Sequence, residues 1–548
     1  METSTPHRLT SAARRLSQIV CLGLLVLGVS RPSHAAPPPN LPAGCITRFQ
    51  AADSVGFTCL TLDETKNPVI AFCGTSDGKV QTFDCSNGQR LQSFHLENNG
   101  KPEPIVSVTL TSTHIVATTR NRVVRWSRQG DISEELAQVE SPSAVDQSGK
   151  LIASTRNTTP IWITSLGNSS RAWRVDHQVQ ADQLQFSPDS RWLFSTRFGR
   201  LYCWDVATGE LTWKRRMASR ITGLQLSPSS REIVAATEYG TGYRLMITNG
   251  ETKSQFGEQQ QFPDRPAMAW SPDESLIVIT QQDNSLSVVE EYSHHVGLRL
   301  PGHTATVSSI QFLSDSMTFV SVDSSGRGFV WNLFDPSLVQ VRDEGSQDLT
   351  KTDEIVMLWQ QLSESDTPQN VWSAIATLKR HPETFYRIMR NPPDGRATIS
   401  RLITELDHPE YQIRAHASWS LRQFGVLAES ALQRASREKR SVESQRRLNR
   451  LLLLLGDSRS SETIRHQKAD RLRQLRCVHL LSWIGTNRAG RELAETWQRT
   501  RNEHVRDEIT KVLRQFAWRQ WTKPDAFTKL KRTLASQWER VMSKFWNR

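Results

Sequence analysis

Gly74-Thr75-Ser76-Asp77-Gly78 has the G-x-S-x-G spacing of a serine-hydrolase nucleophile, which requires its serine on a sharp turn between a strand and a helix. The flanking residues 69–73 and 80–83 are both strand-like. The five residues therefore read as the tip of a hairpin, with Gly78 supplying a positive φ. His294 and His295 beside Tyr292 could ligate a metal, although a surface turn explains them as well. Four of the seven cysteines (Cys45, Cys59, Cys73 and Cys85) fall within residues 45–85, so either disulfides or buried thiols are open. No CxxC and no clustered Cys and His at zinc-ligand spacing occur, nor any HExxH, Walker A or Rossmann glycine run. Asn157-Thr158-Thr159 and Asn168-Ser169-Ser170 are sequons, relevant only in a host that glycosylates. These residues specify no reaction, so the expectation is no catalytic residue, no cofactor, no metal and no small-molecule substrate.

The elements that carry them are periodic. Leu184-Gln185-Phe186-Ser187-Pro188-Asp189, Leu224-Gln225-Leu226-Ser227-Pro228, Met268-Ala269-Trp270-Ser271-Pro272-Asp273 and Ile310-Gln311-Phe312-Leu313-Ser314-Asp315 share one form. Each alternates polar and apolar residues as a half-buried strand does and then enters a turn, where proline presets φ and Ser or Asp caps the backbone. A second alternating run follows, such as Trp192-Leu193-Phe194-Ser195, and a third ends at Trp126, Trp162, Trp204-Asp205 or Trp331.

This pattern resembles the WD-repeat (WD40) family of β-propellers. Trp204-Asp205 is the dipeptide that names the family, Gly302-His303 looks like the opening Gly-His, and Ser76-Asp77-Gly78 matches the central hairpin. Units start near residues 54, 103, 141, 179, 218, 262 and 302, which gives seven blades at a period of about 40–45 residues. The resemblance implies that His303, Ser321 and Trp331 form a buried hydrogen-bonded set in the last blade, with Ser325 where an Asp is usual. The second and third blades lack both Gly-His and Asp-Gly. A ring of blades leaves open edges unless its ends pair. The alternating segment Cys45-Ile46-Thr47-Arg48-Phe49 is therefore expected as the outer strand of blade 7. Eight of the 17 tryptophans lie in the propeller, mostly at alternating positions that burial explains.

Beyond residue 352 the period is helical. Ile355, Leu358, Trp359 and Leu362 make one face, Val371, Ile375 and Leu378 the next, and Ile399, Leu402, Ile403 and Leu406 a third. Asp407-His408-Pro409 stops that helix, and another runs from about Tyr411 to Phe424, with Gly425 as its cap. Residues 402–455 look like the helical region that follows a propeller in some secreted bacterial WD-repeat proteins, on Leu406-Asp407, Ile413-Arg414, Ala417, Leu421, Ala428, Leu432, Glu443, Arg447 and Leu451. That grouping implies a fold and no activity. The expected fold class is multidomain: an all-β seven-bladed propeller followed by an all-α, HEAT-like domain.

The ends complete the division. Residues 1–35 read as a signal peptide, with Arg8, Arg14 and Arg15, an 11-residue apolar run at 19–29 and Ser33-His34-Ala35. This implies export to the periplasm, the envelope or the medium. The Pro-rich segment 36–44, propeller 45–338, linker 339–352, helical domain 353–515 and basic aromatic tail 516–548 follow.

The net charge is +12, yet residues 431–548 alone carry +16 and residues 1–430 carry −4. Phe527, Leu530, Leu534, Trp538, Val541 and Phe545 form one helical stripe in the tail. It either packs on a neighbouring helix or meets an anionic membrane surface through Lys523, Lys529, Lys531, Arg532, Trp538, Lys544 and Trp546. Nucleic acid is a poorer partner for an exported chain. The reading from sequence is a non-enzymatic exported scaffold for unnamed protein partners. Alternatives are membrane-surface docking through the tail, or a propeller enzyme whose site is assembled from distant loops.

Overall fold

The computed structural model describes residues 41–52, 55–96, 103–128, 133–155, 160–166, 172–175, 180–256, 262–291, 296–338, 352–363, 368–393, 395–424, 426–455 and 462–521. The leader, both sequons, His294-His295, Gly425, most of the linker and every tail residue from 522 onward lie outside this set.

Seven four-stranded antiparallel sheets follow one another as blades 1–7. Blade 1 is Phe57–Asp63, Ile70–Thr75, Lys79–Asp84 and Arg90–His95; blades 2 and 3 occupy residues 107–138 and 140–174. Blade 4 is Gln183–Phe186, Trp192–Arg197, Arg200–Asp205 and Leu211–Arg216; blade 5 is Ile221–Leu226, Glu232–Thr237, Gly242–Met246 and Thr252–Phe256. Blade 6 is Met268–Trp270, Leu276–Thr280, Leu286–Glu290 and Val296–Leu300, and blade 7 is Val307–Phe312, Thr318–Asp323 and Arg327–Asn332. The second and third strands are the most apolar; all five residues of Leu276–Thr280 are buried, as are all five of Leu286–Glu290.

The fourth strand of blade 7 is Cys45–Gln50, antiparallel to Arg327–Asn332, with Phe49 opposite Gly328 and Cys45 opposite Trp331. The expected clasp is therefore present. Its inward side chains are Cys45, Thr47 and Phe49, and its outward ones are exposed. Phe49 stacks on Phe83 at 4.6 Å and occupies the space beside Gly328, where an added Cβ would fall 2.1 Å from the ring. Burying one such ring stabilises the closed form by about 1.5–3 kcal/mol.

The Ser-Pro-Asp turns share a feature that no glycine announces. Ser190, Ser230, Glu274 and Ser316, the fourth residue of each turn, have φ of 57°, 55°, 59° and 63°. Each also bonds across to the preceding blade or its turn. Ser190 Oγ donates to Asp146 at 2.9 Å, Ser230 Oγ accepts from Asp189 N at 3.2 Å, Glu274 Oε1 from Ser229 N at 2.7 Å, and Ser316 Oγ from Asp273 N at 3.1 Å. Ser314 N donates to Glu64 at 2.8 Å, linking blade 7 to blade 1. All six described cysteines are buried free thiols, and burial raises each thiol pKa.

Ten helices follow among the described residues: α1 Thr352–Gln361, α2 Pro368–Arg380, α3 Pro382–Arg390, α4 Gly395–Glu405, α5 Tyr411–Phe424, α6 Val426–Ser436, α7 Val442–Leu455, α8 Glu462–Ile484, α9 Asn487–Arg499 and α10 Glu503–Trp521. Helices α4–α7 pack on one another around Leu402, Leu406, Leu421, Phe424, Leu432 and Leu448, so the expected all-α region follows the propeller. Helix α10 runs without a break through the expected 515/516 boundary.

Candidate interaction surfaces

In a four-stranded meander the 1→2 and 3→4 connections share one end and the 2→3 hairpin lies at the other. The ring thus has a turn face and a hairpin face, and the two are used differently.

On the hairpin face of blade 7, His303 Nδ1 is 2.7 Å from Asp323 Oδ2 and its Nε2 is 2.7 Å from Ser321 Oγ, which also accepts from Trp331 Nε1 at 2.8 Å. All four side chains are buried. The carboxylate comes from Asp323, two residues before the position at which the resemblance implied one. Ser325 instead donates its backbone N–H and its hydroxyl to Asp323 Oδ1, at 2.9 and 2.7 Å. Burial opposes charge on Asp323, but the bonds from His303 and Ser325 outweigh it and hold the carboxyl below its usual pKa. In blade 4, Trp204 Nε1 donates to Ser195 Oγ at 2.9 Å, reproducing the Trp–Ser half of the set. Asp205 caps the turn after its strand through Ala207 N and Thr208 N.

Gly74-Thr75-Ser76-Asp77-Gly78 is a strand–turn–strand, with Gly78 at φ 86°. Asp77 accepts from Thr75 Oγ1 and pairs with Lys79 at 2.7 Å; Glu103 O lies 3.0 Å from where a Cβ on Gly78 would stand. No helix follows to build a nucleophile elbow. Among the described residues no group of three or more His, Cys, Asp or Glu could hold a metal.

The turn face of blades 5 and 6 carries Glu232, Asp273, Glu274, Glu290 and Glu291, and the helical region docks against it. Arg476 of α8 makes a two-toothed pair with Glu290 at 2.8 and 3.2 Å and donates to Leu362 O at 2.8 Å; both charged side chains are 3% exposed. Trp483 Nε1 donates to Asp273 Oδ2 at 2.9 Å, while Ser271 and Ser275 bind the other oxygen. Burial opposes ionisation of Asp273, but nearby His479 and these hydroxyls hold its pKa below the usual value. Lys511 of α10 lies 3.5 Å from Glu274 and 3.3 Å from Glu508, which is 3.2 Å from His479 Nε2. Burial would raise the Glu508 pKa, yet His479 and Lys511 bring it down to about 2. Arg244, 2% exposed, joins Glu232 and Glu291 across blades 5 and 6. Beside this network Trp372 and Trp483 stack at 6.0 Å against Phe334, and the Lys379 ammonium sits 4.2 Å from the Phe334 ring centroid.

Several cations of the basic C-terminal half are therefore consumed within the molecule. Arg440, Arg447, Arg473, Arg488 and Arg499 also pair with carboxylates. Arg446 and Arg450 of α7 remain exposed beside Leu453 and Leu454. Lys523, Lys529, Lys531, Arg532, Trp538, Lys544 and Trp546 fall outside the described residues. No described helix is long and apolar enough to cross a membrane.

Two family profiles match parts of the chain. Residues 295–332 match the family profile described as WD domain, G-beta repeat, and residues 162–290 match that described as outer membrane protein assembly factor BamB. Apoptotic protease-activating factor 1 of Danio rerio is 23% identical over 313 residues, which are 54% of this chain and 24% of that protein. The chain thus spans about a quarter of the length of that relative. The crystal structure of the Myceliophteria thermophila Cps50 (Swd1) β-propeller domain is 14% identical, with a TM-score of 0.45 over 53% of this chain and 99% of that one. The chain is a seven-bladed propeller bearing a WD repeat, followed by a helical region.

Proposed function

We propose that this protein is a non-enzymatic scaffold that binds protein partners on the hairpin face of its propeller. The observation that carries the reading is the unequal use of the two faces. The helical region covers the turn face of blade 6 through Arg476–Glu290 and Trp483–Asp273, whereas the 2→3 hairpins display Arg120, Phe198, Tyr239, Gln282 and Ser324 to solvent. A rigid ring that presents loops from several blades at once suits recognition of a partner rather than turnover, since binding residues placed on loops are held by a fixed frame. The leader-like residues 1–35 favour action outside the cytoplasm, and α7 offers a second, basic surface.

The test places a photoactivatable residue at Gln282 or Ser324 of the full chain in its native cells. Discrete protein adducts from these positions, absent when the probe stands at exposed Thr208 on the turn face of blade 4, are the expected result. Equal labelling from both faces, or none from the hairpin face, overturns the reading.

A further inference from the structure

The hairpin of blade 4 departs from what a surface turn needs. Phe198, its first central residue, has φ 51° and is 62% exposed. A two-residue hairpin with positive φ there ordinarily carries glycine, and a bulky side chain in that region costs about 1–2 kcal/mol. The other non-glycine residues with positive φ among those described are Ser, Asn or Glu. Glycine is used at 199, where an added Cβ would come within 2.6 Å of Ser219 O. Phe198 N donates to Asp182 Oδ2 at 2.8 Å and Phe198 O accepts from Ile221 N at 2.8 Å, so both backbone groups are fixed and the ring is left in water.

Cations surround it. Arg197 is opposite Arg200, and Arg200 opposite Arg216, so three like charges stand abreast on one side of the sheet, an arrangement that disfavours folding. Arg197 is paired with Asp182 at 2.8 Å and lies 4.4 Å from the Phe198 ring centroid. The exposed side chains of Arg200, Arg215, Arg216 and Arg220 make no hydrogen bond or ion pair with described residues. The strip continues into blade 5: Glu238 N donates to Arg220 O at 3.1 Å, which sets Tyr239, 78% exposed, beside the same loop. Two exposed rings and a row of uncommitted guanidiniums thus share one continuous surface, at a cost in stability that folding alone does not explain.

We propose that Phe198, Tyr239, Arg200, Arg216 and Arg220 form the docking strip for an acidic segment of a protein partner, which binds its carboxylates to the arginines and lays apolar side chains on the two rings. The proposal rests on the scaffold reading and names its site. Guanidinium forks match carboxylates in pairs, and aromatic and arginine side chains are the commonest anchors of protein interfaces. Glu238 lies within the strip beside Arg220. A peptide can offer it an amide or hydroxyl donor, whereas a phosphodiester backbone there would meet its negative charge. A nucleic acid strand is accordingly the disfavoured occupant.

The experiment measures fluorescence anisotropy of the full chain with a labelled peptide of alternating Glu, Leu, Asp and Phe. Its counterpart with Lys for the acids and labelled oligo(dT) are the other probes. The acidic peptide should bind and weaken as salt rises; Arg200→Ala with Arg216→Ala, and separately Phe198→Gly, should each weaken it by about tenfold or more. Phe198→Gly suits the backbone better than the native residue, so its loss of binding cannot be a loss of folding. The proposal falls if the acidic peptide does not bind, if the variants bind it equally, or if oligo(dT) binds more tightly through the same arginines. If it falls while Gln282 and Ser324 still yield protein adducts, the scaffold reading stands without this site; if those adducts are missing too, both fall.

Discussion

Cations meet the turn face of blade 6 and the hairpin face of blade 4, and their settings are opposite. Arg476 and Lys511 are largely withdrawn from water and matched to Glu290, Glu274 and Glu508. Arg200 and Arg216 face each other across two strands in solvent. The first arrangement holds two parts of the molecule together; the second sets like charges side by side, which the proposal above assigns to a partner. Position relative to water and to carboxylates, rather than basicity, separates cement from contact surface.

Removing one partner of the buried pair should break the first region hardest. Arg476→Met leaves Glu290 buried and charged, and a loss of about 3–5 kcal/mol is expected in urea denaturation. A loss below about 1 kcal/mol would place the two regions in the same class. Acid should act next. The Glu508 pKa is lowered from 4.5 to about 2, so its contribution is complete above about pH 5 and is lost as pH falls toward 2. A drop on the order of 3 kcal/mol from neutral pH to the acid limit should be reduced in Glu508→Gln. Trp483→Phe keeps the ring packing but removes the donor to Asp273, with about 1–3 kcal/mol expected from the same titration. At blade 4 the sign should reverse. Phe198→Gly is expected to gain up to about 1 kcal/mol, and Arg200→Ser to change stability by less than about 0.5 kcal/mol. A clear destabilisation by either would assign blade 4 a structural role.

Much of the ring was legible because a repeat states its period many times. The hairpin at Gly78, the clasp at Cys45–Gln50 and the helix ending near Phe424 followed from alternation, turn chemistry and the 3.6-residue spacing. Single substitutions within the repeat were harder. Asp323 escaped because its carboxylate reaches His303 from two positions earlier in the chain than the repeat leads one to expect. The left-handed residues of the Ser-Pro-Asp turns escaped because Ser and Glu carry no signal for positive φ. Charge summed over long segments misled most. A net of −4 over residues 1–430 conceals the cluster at Arg197, Arg200, Lys214, Arg215, Arg216 and Arg220, and the +16 beyond it includes Arg476 and Lys511, which the propeller itself neutralises. Pairings between residues some 200 positions apart leave no local trace.

The clasp also sets a timetable. Cys45–Gln50 leaves the ribosome about 280 residues ahead of its partner Arg327–Asn332. At about 5–20 residues per second, that strand waits roughly 15–60 s before anything can pair with it. Until then the sheet of blade 7 does not exist, and a strand with Phe49 on one side and free backbone edges must stay out of trouble alone. Exposed Arg48 and Gln50, the latter donating its amide to Ser325 O at 3.1 Å in the finished ring, are the residues that would keep the strand solvated during that interval.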